Sequence, residues 1–86
     1  MTFSVIWKFT ALLQLNSLIA SSVDSASIQQ TAAFIDFALR RVPHDMGESR
    51  DGNDRLWCVD SLGIYFAVDD NRLSVEVLLV GPSRRQ

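Results

Sequence analysis

Apolar residues at Ile28, Ala32, Ile35, Leu39 and Val42 step by four, three, four and three, and no other feature constrains this chain as strongly. At 3.6 residues per turn that spacing brings the side chains to one side of a helix, which then needs an apolar cover. A stretch of similar period precedes it: Phe9, Leu12, Leu13, Leu15, Leu18 and Ile19 form a broad stripe, expected to end near Ser21–Ser22. The Ser-rich link between the two is short, so the helices are expected to pack antiparallel as a hairpin. Asp24, Ser25 and Ser27 are all N-cap types, and Ser27 with Gln30 has the spacing of a capping box for the second helix. Arg40 and Arg41 complement its dipole, and Pro43 stops it.

On either side of the hairpin the period changes to two. Thr2 to Lys8 alternates Phe3, Val5 and Trp7 with Thr2, Ser4 and Ile6, the pattern of a strand. Past Pro43 comes a polar stretch, His44 to Asp54, with turn formers at Gly47, Asp51-Gly52 and Asn53. It is the longest expected connection, and loops of that length are a place to look for a site. Three strands then follow, Arg55–Asp60, Ile64–Asp69 and Leu73–Val80. Their expected turns are Ser61-Leu62-Gly63, with Gly63 able to take a positive φ, and Asp70-Asn71-Arg72, with Asn71 tolerating the left-handed region. In the last strand Val75, Val77 and Leu79 are expected on one face and Leu78 and Val80 on the other, before Gly81-Pro82 ends it. The order predicts one α+β domain over residues 1–86, β-α-α-β-β-β, with the helical hairpin packed on a mainly antiparallel four-stranded sheet.

The chain has 86 residues, and a domain of that size buries a low share of its surface, so a partner can matter to its stability. Its net charge of −2 provides no global field for nucleic acid, and any contact with a polyanion must come from a local arginine cluster. Cys58 is the only cysteine, which excludes an internal disulfide and any Cys-rich zinc site and fits a reducing cytoplasm. Lys8 ahead of Phe9 to Ala20 has some look of a secretory signal, but Gln14, Asn16 and Ser17 interrupt the apolar run and apolar residues already precede Lys8. The run also falls short of the roughly 20 residues a membrane span needs, so no membrane association is expected.

In this order of elements the chain resembles the RelE/ParE toxins of type II toxin–antitoxin pairs. The resemblance covers nearly the whole length, and the second half carries most of it. Pro43 follows the second helix, Gly47 comes a few residues on, Arg55 opens a strand, Gly63 precedes Tyr65-Phe66, Val68-Asp69-Asp70 closes that strand, and Val75 to Val80 leads to Arg84-Arg85. The Gly47 to Arg50 segment, Gly-Glu-Ser-Arg, is similar to small planctomycete-type members. The resemblance implies a cytoplasmic toxin, neutralised by a cognate antitoxin whose disordered or helical segment lies across an apolar groove. Two departures bear on mechanism. Where ribonuclease members carry Tyr-Arg-Val-Asp this chain has Phe66-Ala67-Val68-Asp69, and where they place a His or Tyr after the last strand it has Gly81-Pro82-Ser83.

Those departures favour action by binding a target such as DNA gyrase over ribosome-dependent cleavage of messenger RNA. A non-catalytic interaction module or inactive homologue on the same fold, with a homodimer through the hairpin as its expected assembly, is the alternative from another class. Residues available for chemistry are few. Arg50, Arg55, Arg84 and Arg85 have the bidentate geometry for phosphate, against a simpler role as surface ion-pair partners. His44 is the only histidine and has the pKa range for proton transfer, against an exposed turn residue. Tyr65 is suited to stacking on a base or donating a proton, against cross-strand packing. Trp7 and Trp57 are expected in the core or at its rim, and Cys58 as a small buried hydrophobe. His44, Asp45, Glu48, Asp51 and Asp54 lack any recognised ligand spacing, so neither metal nor cofactor is expected.

Overall fold

The computed structural model describes residues 2–83. Its elements run β1 (Ser4–Trp7), α1 (Phe9–Ser21), α2 (Ser25–Arg41), a single 3-10 turn at Pro43–Asp45, β2 (Glu48–Ser49), β3 (Asp54–Val59), β4 (Leu62–Asp69) and β5 (Ser74–Pro82). The strands form one five-stranded sheet in the order β1-β5-β4-β3-β2, antiparallel except where β1 lies parallel to β5. Both helices cover one face, giving an α+β architecture. The expectation of four strands misses β2, because its two residues pair only with Arg55 and Leu56 and are too short to carry a period. What reads as a long loop is thus a turn followed by a small hairpin, closed through Asp51-Gly52-Asn53 with Gly52 at φ +59.

Burial follows the expected periods with instructive exceptions. In β4, Leu62, Ile64, Phe66 and Val68 point to the helices and are almost fully buried, alternating with Gly63, Tyr65, Ala67 and Asp69 on the open face. Opposite them α2 buries Ile28, Thr31, Ile35, Ala38 and Leu39, whereas Val42 sits beyond the helix end and is largely exposed. In α1 the inward residues are Ala11, Leu15, Leu18 and Ile19. Phe9, Leu12 and Leu13, counted into the stripe from sequence, face outward. This helix is apolar around most of its circumference, so period alone leaves its rotation undetermined.

Strand β5 departs from simple alternation. Its register with β4 passes from Phe66↔Val77 to Tyr65↔Leu79, so Leu78 is an extra residue in a β-bulge. The bulge resets the pleat: Val75, Val77 and Val80 are buried together while Leu79 is 48% exposed on the open face. The predicted grouping of Val75, Val77 and Leu79 therefore fails at its last member. Strand β5 also continues through Gly81 and Pro82, which pair with Gly63 and Leu62. Pro82 is tolerated at the strand's end, where no further ladder bond is asked of it.

The turns use other residues than expected. Positive φ falls on Asp60 rather than Gly63 in the tight β3–β4 link, and on Leu73 rather than Asn71 in the β4–β5 link. There the Asp69 carboxylate accepts from the backbone N–H of Asn71 and Arg72, an Asx-type closure that fixes the turn ahead of Leu73. Helix α2 begins two residues before Ser27, with Asp24 accepting from the Ser27 N–H in place of a Ser27–Gln30 capping box. The hairpin is anchored to β1 by the Trp7 indole N–H, which donates to Asp36, and by the Phe3 N–H, which donates to the Arg40 carbonyl. No helix among the described residues is long and apolar enough to cross a membrane.

Candidate functional site

Register places the side chains of the open sheet face in rows, because residues directly opposite one another across a ladder share a face. Cys58, Gly63 and Gly81 form the first row, and Leu56, Tyr65 and Leu79 the second. Asp54, Ala67, Glu76 and Ile6 form the third, and Asp69, Ser74 and Ser4 the fourth. The small residues of the first row let the second stand proud above an apolar trough of about 450 Å³. A second hollow over the third and fourth rows is lined by Asp54, Asp69 and Glu76, with Arg72 the one cation among the described residues that line it.

Tyr65 joins the two halves. Its hydroxyl donates to Asp54 Oδ2 at 2.9 Å, diagonally across β3 and β4. That hydrogen bond, with desolvation and the negative charges of Asp54 and Asp51, raises the phenol above its ordinary range, and Arg50 opposes the shift. The pairing was legible in principle: with Leu56 opposite Tyr65, Asp54 is the diagonal neighbour two residues back. Sequence reasoning singled out Tyr65 without its partner because the expected β3 began one residue later.

Of the four sequence candidates, the three that are described, Arg50, Arg55 and His44, do not converge. Arg50 is exposed at the β2–β3 turn, where its guanidinium approaches Glu48 at 3.4 Å and its N–H donates to the Asp54 carbonyl. Arg55 lies opposite Phe66, on the helix side of the sheet, and its guanidinium donates to the backbone carbonyls of Met46 at 2.8 Å and Gly47 at 3.1 Å. Those bonds commit it to holding the incoming loop. His44 sits in the 3-10 turn, 2.7 Å from Asp70 and edge-on to Phe3. Arg84, like Arg85, lies outside the described residues. Among the described residues no three His, Cys, Asp or Glu side chains come together as a metal-binding group. Cys58 is half-buried at the floor of the apolar trough, on the open face and not in the core. Trp57 packs at the rim against Phe34, with ring centroids 6.1 Å apart.

No family model and no curated protein matches the sequence. Solved structures do match. A chain of the RelBE2 toxin–antitoxin complex from Mycobacterium tuberculosis is 17% identical with a TM-score of 0.78, over 99% of this chain and 95% of that one. The chromosomal ParDE system of P. aeruginosa gives 14% identity and 0.74, over 96% and 98%. The isolated E. coli RelE toxin gives 15% and 0.64, over 98% and 87%. The chain therefore has the fold of the RelE/ParE toxins, present along nearly its full length.

Proposed function

We propose that this chain is the toxin of a type II toxin–antitoxin pair and that it acts by binding a target, ParE-like, rather than by cutting RNA. The toxin reading rests on the shared fold and on the toxin–antitoxin systems in which its structural neighbours occur. The mode of action rests on one observation: Ala67 stands between Asp54 and Glu76 in the third row of the open face. Ribonuclease members of the RelE/ParE toxins, which this chain resembles, often carry an arginine at this point of the strand. Cleavage through the 2′-hydroxyl needs a cation there, because negative charge builds up on the phosphate in the transition state. Two carboxylates beside a methyl group repel phosphate instead.

Expression of the chain alone in a bacterial host, and together with the product of its adjoining reading frame, tests this. Growth arrest without messenger cleavage, relieved by the second protein, is the expected result. Arrest with cleaved messenger overturns the binding mode, and absence of arrest overturns the toxin reading in favour of an inactive interaction module on this fold.

A further inference from the structure

We infer that the open sheet face receives a partner segment that is apolar at one end and basic at the other, with a Lys or Arg side chain entering the notch over Ala67. This deepens the toxin–antitoxin reading and rests on it, the segment being part of the antitoxin. The occupant follows from how the face is divided. Leu56, Tyr65 and Leu79 form an apolar shelf above the floor of small residues, and among the described residues Leu79 is left 48% exposed. A chain that leaves such a shelf open at the centre of its sheet presents a site for apolar side chains.

One row along, roughly 7 Å away at the rise of an extended strand, the face turns acidic. Asp54 and Glu76 are the cross-strand neighbours of Ala67, and the missing side chain between them leaves a slot flanked by two carboxylates. Among the described residues neither carboxylate is held by a close cation. Asp54 receives a hydrogen bond from a neutral phenol. Glu76 meets Lys8 at 3.9 Å with both side chains about half exposed, a loose pair that exchanges readily for a better cation. Asp69, in the next row, has Arg72 at the same 3.9 Å. A guanidinium or ammonium entering the slot gains two charge-assisted acceptors, and an acidic or polyanionic segment is repelled. The geometry thus sets the spacing of the partner motif: apolar residues on the shelf, then Lys or Arg about one helical turn or about two extended residues further on.

The test uses the complex with the product of the adjoining reading frame and measures Kd for four forms of the chain: natural, Leu79→Ser, Glu76→Gln and Ala67→Arg. Thermal melting of each free chain verifies folding, and Glu76→Gln, nearly isosteric, stands in should Ala67→Arg fold poorly. Expected is a loss of about tenfold or more in affinity for each variant, with the penalty of Glu76→Gln shrinking in high salt. Should the complex form with all variants within about threefold of the natural chain, the docking face is wrong while the toxin–antitoxin reading stands. Loss confined to Leu79→Ser overturns the basic half of the motif. Failure of the natural chain to bind the product at all overturns the toxin–antitoxin reading, and this inference with it.

Discussion

The Tyr65 hydroxyl and the Asp54 carboxylate, 2.9 Å apart across β3 and β4, link the apolar and acidic halves of the open face. Tyr65 is the only tyrosine, so phenolate absorbance reports on this contact alone. Its midpoint is expected above the ordinary phenol range in the natural chain, and back within it in Asp54→Ala. A raised value means that the folded chain holds the proton more tightly than the unfolded chain. The contribution to stability is therefore full below the ordinary phenol pKa and lost as pH rises through the folded one. An Asp54→Ala titration superimposable on that of the natural chain would show that Asp54 does not set it.

Arg50 and Arg55 are five residues apart and look interchangeable in sequence, yet the fold separates them. Arg55 holds the carbonyls of Met46 and Gly47, so Arg55→Ala is expected to cost about 2 kcal/mol of stability by denaturant unfolding. Among the described residues the Arg50 side chain makes an exposed, 3.4 Å approach to Glu48, its backbone bond to Asp54 being kept in any variant, and Arg50→Ala is expected to change stability by about 0.5 kcal/mol or less. If Arg50 touches the cellular target, growth arrest falls in Arg50→Ala while the fold is unchanged. Equal destabilisation by both substitutions would refute the division.

Trp7 on β1 and Asp36 on α2 tie an edge strand to the hairpin through one 3.0 Å hydrogen bond, with Arg40 holding the other carboxylate oxygen at 2.7 Å. Trp7→Phe keeps the ring's packing and removes the donor. A loss of about 1 kcal/mol is expected, read by denaturant unfolding followed through the remaining Trp57. A neutral substitution would mean that the parallel β1–β5 pairing and the Phe3 bond to Arg40 hold the strand unaided.

The broad plan was legible because it rests on period. Ile28, Ile35 and Leu39 are spaced for a helix and are buried on one, and Ile64, Phe66 and Val68 alternate and face the core. What escaped depends on tertiary geometry. Leu78 is apolar like its neighbours, and nothing local marks it as the bulged residue that turns Leu79 outward. The parallel placement of β1 beside β5 is invisible to any window of sequence, since it is settled by how the hairpin crosses the sheet. The candidate site was legible only as loose residues. Tyr65 and Ala67 were both noticed, one for its hydroxyl and one for an absent arginine, but their relation to Asp54 and Glu76 exists only once two registers are fixed. Arg55 looked available for phosphate because composition cannot show that two carbonyls already occupy its guanidinium.

Gly47 is where the chain enters β2, and two constraints meet there. Its φ of +67 lies in the left-handed region, which L side chains adopt with strain. A Cβ at this position would also collide with the Leu56 carbonyl oxygen and approach Trp57 Cβ to 2.7 Å. Neither neighbour is a flexible side-chain end, since both belong to β3, so relief requires β2 to move away from the sheet. Gly47→Ala is therefore expected to cost about 1–3 kcal/mol, more than the few tenths of a typical surface substitution. Because the Gly47 carbonyl is one of the two that Arg55 holds, that displacement should also weaken the Arg55 bonds. The two substitutions should then be less than additive in a double-mutant cycle on unfolding free energy. Full additivity would mean that the loop accommodates the new methyl without releasing Arg55, and that Gly47 and Arg55 hold β2 independently.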